Sequence, residues 1–174
     1  MAKKKKREEE AYNIHETENY NTLFLGKQPE EKDKGKFKGD AVANLVDLIT
    51  NPQNRHLKVD ALRELKSKNG KELLMQAIGI TQDEARLALL CSACWEANLD
   101  FSDRLKEFVQ MAVEKNYLVA LEILTVIEDM QGPFRKEELH AAIKVFETEI
   151  GKDRTAEKNE LYADMLQALR SKPE

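Results

Sequence analysis

From Asp40 to the C-terminus, apolar residues recur at the spacing of an α-helix in one short segment after another. In the first segment, four apolar side chains follow the i, i+3, i+4, i+7 pattern of a single helix face. These residues are Val42, Leu45, Val46 and Ile49. Eight such segments follow one another, and none alternates as a strand does. Because the 174-residue chain has only 7 glycines and 4 prolines, it lacks the turn residues of a β-rich fold. The sequence therefore predicts an all-α fold.

Local start and stop signals indicate where these helices begin and end. Asp40 is a predicted N-cap, and the pair Asn69-Gly70 is typical of a helix C-terminus. Thr81 followed by Glu84 fits the capping box of a later helix. The linkers between segments are short, so we expect successive helices to be antiparallel neighbours.

Residues 1–40 lack helical periodicity, which divides the chain into a charged N-terminal tail (1–40) and a helical domain (41–174). The tail begins MAKKKKREEE and carries a net charge of +1, against −5 for the domain. We expect it to be flexible and solvated, although its basic block could also contact nucleic acid, the ribosome or an anionic membrane. Its apolar patch, Leu23-Phe24-Leu25, would dock on the domain or on a partner.

Three segments of the domain align with one another without gaps, and each lies in the second helix of a predicted pair. They are residues 57–65, 85–93 and 116–124. In this alignment one leucine recurs, at intervals of 28 and 31 residues. The three leucines are Leu62, Leu90 and Leu121. A repeated supersecondary unit is therefore predicted.

The first pair, LVDLITNPQNRHLKVDALREL, resembles a HEAT repeat. It has a helix, an Asn-Pro turn and a second helix with an apolar–basic–x–x–Ala–Leu–x–x–Leu pattern. Leu57, Lys58, Ala61, Leu62 and Leu65 fill these positions. The second copy keeps the apolar–basic pair as Ala85 and Arg86, whereas Tyr117 replaces the basic residue in the third. The resemblance covers residues 41–131 and weakens over 132–174. It implies a short right-handed, armadillo-type array of about four helix pairs.

A stacked array and a closed helical bundle are both compatible with eight helices. In an array the central helices are apolar most of the way round, whereas the terminal ones are amphipathic. Residues 85–95 and 117–127 are central and almost wholly apolar, and the terminal segments 40–50 and 159–170 are amphipathic. This distribution favours a HEAT-like array, with a closed bundle as the alternative.

The only cysteines, Cys91 and Cys94, have the C-x-x-C spacing of zinc and redox sites. A zinc site needs about four ligands, and the three histidines are scattered over the tail and two separate helices. A redox pair needs its first cysteine at a helix N-terminus, whereas Cys91 is predicted in mid-helix. We therefore expect two reduced thiols packed in the core. We expect Trp95 in the core or at its edge, rather than exposed as a binding anchor.

The chain shows no pattern typical of a catalytic, cofactor-binding or metal site. It also shows no secretory signal or spanning segment, so we expect a cytoplasmic protein. Arg55, Lys58 and Arg86 lie on or beside second helices, which line the concave side of HEAT-like arrays. The sequence thus predicts a non-enzymatic protein-binding or scaffold module that contacts its partner through these three residues. The alternative is a nucleic-acid-associated protein using the basic tail and the same residues, which the acidic domain disfavours.

Overall fold

The computed structural model describes residues 37–66, 69–152 and 155–173, which form α-helices and two 3-10 helices with no strand among them. The eight α-helices are α1 (Phe37–Thr50), α2 (Lys58–Leu65), α3 (Gly70–Ile80), α4 (Glu84–Glu96), α5 (Leu105–Glu114), α6 (Tyr117–Asp129), α7 (Lys136–Glu149) and α8 (Ala156–Arg170). The 3-10 helices Pro52–Asn54 and Ser102–Arg104 precede α2 and α5. The all-α prediction is confirmed. The patch Leu23-Phe24-Leu25 and the basic block lie outside the described residues.

Three helices, α4, α6 and α8, lie side by side with α6 in the middle, and we call them the row. Behind the row, α5 packs against α6 and α7, and α7 also packs against α8. At the other end, α1 contacts both α3 and α4. The short α2 makes its main contacts with α1 and α3, so it does not extend the row.

Contacts at both ends show that α6 and α8 run in the same direction. Near the two N-termini, Nζ of Lys158 donates to the carbonyl oxygen of Lys115 over 2.7 Å. Near the two C-termini, Nζ of Lys172 donates to the carbonyls of Glu128 and Met130, both at 2.7 Å. Two lysines of the α8 segment therefore hold it to the backbone at both ends of α6.

Hydrogen bonds also join the loop after α4 to the loop after α6. Oδ1 of Asp100 accepts from Oγ of Ser102 (2.5 Å) and from N–H of Gln131 (3.3 Å). Oγ of Ser102 in turn accepts from N–H of Gly132 over 2.7 Å. The C-termini of α4 and α6 are therefore neighbours, and because the two helices pack along each other they run in the same direction.

This corner alters the ionisation of Asp100. Burial raises the pKa of its carboxyl, but the hydrogen bonds from Ser102 and Gln131 and the positive charge of Lys71 outweigh burial. The pKa of Asp100 therefore lies below its ordinary value. At neutral pH, Ser102 and Gln131 therefore donate their hydrogen bonds to an ionised carboxylate.

Each helix of the row begins at a polar N-cap whose side chain accepts a hydrogen bond from the backbone N–H three residues later. These caps are Asp83, Asn116 and Thr155. In all three helices, the residues seven, ten, eleven and fourteen positions after the cap are buried, and in α4 and α6 the last of these directly follows the helix. They are Leu90, Ala93, Cys94 and Ala97, then Ile123, Val126, Ile127 and Met130, and then Tyr162, Met165, Leu166 and Leu169. The three helices therefore share one register, set by their caps.

This register corrects the alignment predicted from the sequence. The caps of α4 and α6, Asp83 and Asn116, are 33 residues apart, whereas the alignment used an interval of 31. The alignment equated Leu121 with Leu90, yet Leu121 is 38% exposed and Leu90 is fully buried. The residue equivalent to Leu90 is Ile123, which is fully buried. The alignment was wrong because leucine occurs on both the buried and the exposed side of α6.

Two predicted helix starts are also wrong. Asp40 does not cap α1, because that helix already begins at Phe37. Thr81 does not cap α4 but ends α3, and its hydroxyl donates to the carbonyl of Ala77 over 2.7 Å. The cap of α4 is Asp83, whose Oδ1 accepts from the N–H of the third helical residue at 2.8 Å.

The pair Asn69-Gly70 begins a helix rather than ending one. Asn69 adopts a left-handed conformation with φ of 67°, and Gly70 is the first residue of α3. A Cβ at Gly70 would lie 1.8 Å from the carbonyl oxygen of Leu65. Glycine is therefore required here by the close approach of two helices, rather than by a helix C-cap.

The core placement of both cysteines is confirmed. Cys91 and Cys94 are free thiols and are fully buried within α4. Burial, together with the negative charge of Glu122, raises the pKa of Cys91 to about 12. Burial also raises the pKa of Cys94. Both side chains therefore remain neutral near pH 7 and act as small apolar residues.

Candidate partner-binding surface

Four large apolar side chains are exposed on the open side of α4 and α6, and we call this surface the α4/α6 face. On α4, Leu89 is 41% and Trp95 is 37% exposed. On α6, Leu118 is 55% and Leu121 is 38% exposed. Single exposed apolar residues are normal on a protein surface, whereas a large contiguous apolar patch is typical of an interaction site.

One hydrogen bond fixes how the two halves of this face meet. Nε1 of Trp95 donates to Oε2 of Glu122 over 3.1 Å, across the boundary between α4 and α6. Leu89 lies six residues before Trp95, about 9 Å along its helix, and Leu118 lies four residues before Glu122, about 6 Å along its own. Because the helices are parallel, Leu89 and Leu118 lie on the same side of this bond. Trp95 therefore lies beside the exposed side of α6, whereas Leu89, about 120° around α4 from Trp95, lies at the opposite edge of the open stripe.

Trp95 was expected in the core or at its edge, but its ring lies at the surface. In the part of the chain that the structure describes, the other sides of α4 contact α1, α3 and α6, which leaves one stripe of the helix exposed to solvent. Leu89 and Trp95 both border this open stripe. The expectation failed because a helix that is apolar nearly all round gives no sign of which side has no neighbour. All four side chains of the face were missed for the same reason.

The surface becomes acidic beyond α6. A shallow depression of about 430 Å³ lies between α6 and α8 and is lined in part by Glu128, Asp164 and Lys172. Glu128, Asp164 and Glu160 are exposed. Burial lowers the pKa of Lys172, although the carboxylates of Asp129, Glu128 and Asp100 oppose this shift. Across the row, the open side thus passes from apolar at α4 and α6 to acidic at α6 and α8.

The three predicted contact residues do not form one cluster. Arg55 is exposed directly after the first 3-10 helix. Lys58 is partly buried, and its Nζ lies 2.8 Å from Oε1 of Glu96 in an ion pair. Arg86 is exposed in the first turn of α4, about 15 Å from Glu96 along the helix. The basic residues therefore lie near opposite ends of α4, and their role as partner contacts stays a prediction.

A second groove, of about 350 Å³, lies between α5 and α7. Its floor is apolar, and its rim carries Lys106, Gln110, Glu114 and Glu138. The apolar lining residues are Val109, Val113, Ala141, Ala142 and Val145. Only Val145 among them is a large and well-exposed apolar side chain. This groove is therefore a less open apolar surface than the α4/α6 face.

Within residues 37–66, 69–152 and 155–173, no three or more His, Cys, Asp or Glu side chains are grouped so that they could hold a metal ion. Over the same part of the chain, no helix has the length and apolar character needed to cross a membrane.

The chain was compared with protein-family models, with curated proteins and with solved structures. None of the three comparisons gave a match. The resemblance to HEAT repeats therefore rests on the residue pattern of the sequence alone.

Proposed function

We propose that this chain is a non-enzymatic protein-binding module and that the α4/α6 face is its main contact surface. The observation that carries the proposal is the exposure of Leu89, Trp95, Leu118 and Leu121 on two adjacent helices. Because these residues are 37–55% exposed, completing the burial of one of them against a partner contributes about 0.5–1.5 kcal/mol. Tryptophan is also among the residues most enriched at the energetic centres of interfaces.

We also propose that the helices form a short HEAT-like array in the cytoplasm, with α4, α6 and α8 as its second helices. The common direction and the shared cap register of these three helices support this arrangement. The position of α2, beside α1 and α3, makes the first pair a departure from a regular repeat. In such an array the row would line the concave side, where helical-repeat proteins offer extended binding surfaces.

The charges around the face suit a partner with an apolar centre and a mixed rim. Arg55 and Arg86 are exposed near the two ends of α4, and we propose that they contact carboxylates of the partner. Exposed rim charges steer association more than they strengthen the complex. We therefore expect their contribution to fall with added salt, whereas the apolar contribution persists.

The test is affinity capture of the partner from the native host, followed by binding measurements with the purified pair. Leu118→Glu with Leu121→Glu places two charges on the face, and we expect at least a tenfold loss of affinity. Val59→Glu is the control, since Val59 is 62% exposed on α2, which is not part of the row. If the double variant binds as tightly as the control, the α4/α6 face is not the contact surface.

A second variant tests the three predicted basic contacts. Substitution of Arg55, Lys58 and Arg86 by Ala should slow association at low salt and change little at high salt. An unchanged association rate would show that these three residues do not contribute to the interface. The same measurement with RNA and DNA tests the nucleic-acid alternative, for which binding must weaken steeply as salt rises.

A further inference from the structure

The N-terminal 36 residues contain a compact apolar patch that the proposed function leaves unexplained. Leu23, Phe24 and Leu25 follow one another in an otherwise polar stretch. Eleven residues separate Leu25 from Phe37, where α1 begins. A chain of that length spans at most about 40 Å.

The start of α1 lies within this reach of the α4/α6 face. The end of α1 is placed beside the end of α4, because Asn54 donates to Asp47 of α1 (2.8 Å) and the nearby Lys58 pairs with Glu96 (2.8 Å). Since α1 packs against α4, its start lies at the N-terminal end of α4. Packed helices are about 8–10 Å apart, so α6 is about 20 Å from α1.

The chemistry of the patch matches that of the α4/α6 face. Leu23, Phe24 and Leu25 stand in an otherwise polar stretch, and the α4/α6 face exposes apolar side chains of similar size. Docking of the patch on this face would remove apolar area of both from water.

We propose that the tail folds back across the row, with Leu23, Phe24 and Leu25 seated on the α4/α6 face. The tail thereby occupies the surface that the proposed function assigns to a partner, and a partner must displace it. The regulatory part of this inference rests on the proposed function, whereas the docking itself does not.

Trp95 is the only tryptophan in the chain, so its fluorescence reports on this face alone. The experiment compares the full chain with a variant carrying Leu23→Ser, Phe24→Ser and Leu25→Ser. A matched control, Asn19→Ser with Asn21→Ser, alters polar residues of the same tail. We expect the triple variant to move Trp95 emission to longer wavelength and to increase acrylamide quenching. The control should behave as the unaltered chain.

Adding a synthetic peptide of residues 19–30 to the triple variant should reverse both changes. Emission of Trp95 that is the same in all three proteins overturns the inference. Emission of the unaltered chain that moves to longer wavelength on hundredfold dilution also overturns it, since a second copy then covers the face. Circular dichroism confirms that the helices of each variant are intact.

Partner capture separates this inference from the proposed function. If docking occurs as proposed, the triple variant captures more partner than the unaltered chain. Loss of capture in the Leu118→Glu, Leu121→Glu variant with no tail effect on Trp95 overturns tail docking alone. A tail effect on Trp95 with capture unchanged in that variant overturns the proposed function and leaves tail docking supported.

Discussion

The row and the first helix pair differ in how their helices begin. Helices α4, α6 and α8 each follow a polar residue whose side chain caps the first turn. Helix α2 follows Leu57, which makes no side-chain cap, and it has only 8 residues. Yet α2 carries the clearest HEAT-like sequence pattern of the chain. The HEAT-like sequence pattern therefore does not identify the helices of the row. A polar cap, followed by buried residues seven, ten, eleven and fourteen positions later, is what α4, α6 and α8 share.

The largest loss of stability is expected from a substitution at the point where α2 of the first pair meets α3. Gly70→Ala brings a Cβ to 1.8 Å from the carbonyl oxygen of Leu65. Because that oxygen belongs to the backbone, the helices must separate, at a cost of about 3 kcal/mol or more in the free energy of unfolding. Gly79→Ala, in the same helix with open space around it, is the control and should be neutral or slightly stabilising. Urea denaturation measures the free energy of unfolding of both variants. Equal values would contradict the close contact between the end of α2 and the start of α3.

The next prediction distinguishes the register set by the caps from the register of the sequence alignment, because the two registers pair different residues of α4 and α6. Leu90→Ala empties a fully buried position of α4 and should cost about 3 kcal/mol. Leu121→Ala removes a side chain that is 38% exposed and should cost less than about 1 kcal/mol. The alignment equates these two leucines and predicts similar losses. Thermal and urea unfolding of the two variants therefore decide between the registers.

The caps themselves should have a smaller, measurable effect. Asn116→Ala removes the Oδ1 that accepts from the backbone N–H of Val119 at 3.0 Å. We expect a loss of about 1 kcal/mol in the free energy of unfolding. Asn116→Ser retains a capping oxygen and should recover most of this loss. If serine and alanine destabilise the protein equally, capping is not what Asn116 contributes.

The smallest effect concerns the corner that joins the ends of α4 and α6. The pKa of Asp100 is lowered in the folded protein, so its stabilising contribution is present above the unfolded pKa, about 4. That contribution is lost as the pH falls further, through the folded pKa. Asp100→Asn should therefore destabilise the protein most at neutral pH and progressively less below pH of about 4. Unfolding measured from pH 2 to 7 checks this, and a pH-independent difference would refute it.

Much of the fold follows from helical periodicity. In the amphipathic segment 159–170, Leu161, Met165, Leu166 and Leu169 recur at helical spacing, and all four are buried. That face was readable because α8 is amphipathic, so its polar residues mark the side facing solvent. The all-α class was predictable from the spacing of apolar residues. The burial of the two cysteines was predictable because the chain has too few ligands for a zinc site and no redox context for the pair.

The candidate surface could not be predicted in the same way. Helices α4 and α6 are apolar nearly all round, so their sequences do not distinguish a buried leucine from an exposed one. Leu118 and Ile123 look alike in sequence, yet only the positions of neighbouring helices expose the first and bury the second. The three predicted basic contacts indicated the surface less well than the apolar residues do, because Lys58 already forms an ion pair with Glu96.

The common direction of α4, α6 and α8 has an electrical consequence. Each helix carries a dipole equivalent to about half a positive charge at its N-terminus and half a negative charge at its C-terminus. Side by side and pointing the same way, the three dipoles add within the row, whereas α5, joined to α6 by two residues and packed against it, runs the other way and offsets part of their field. The row therefore has a positive and a negative edge. Lys172 lies at the negative edge, and its ammonium group meets the carbonyls that create it. Asp83 lies at the positive edge. A charged partner approaching the row would therefore be turned to one orientation before any contact is made.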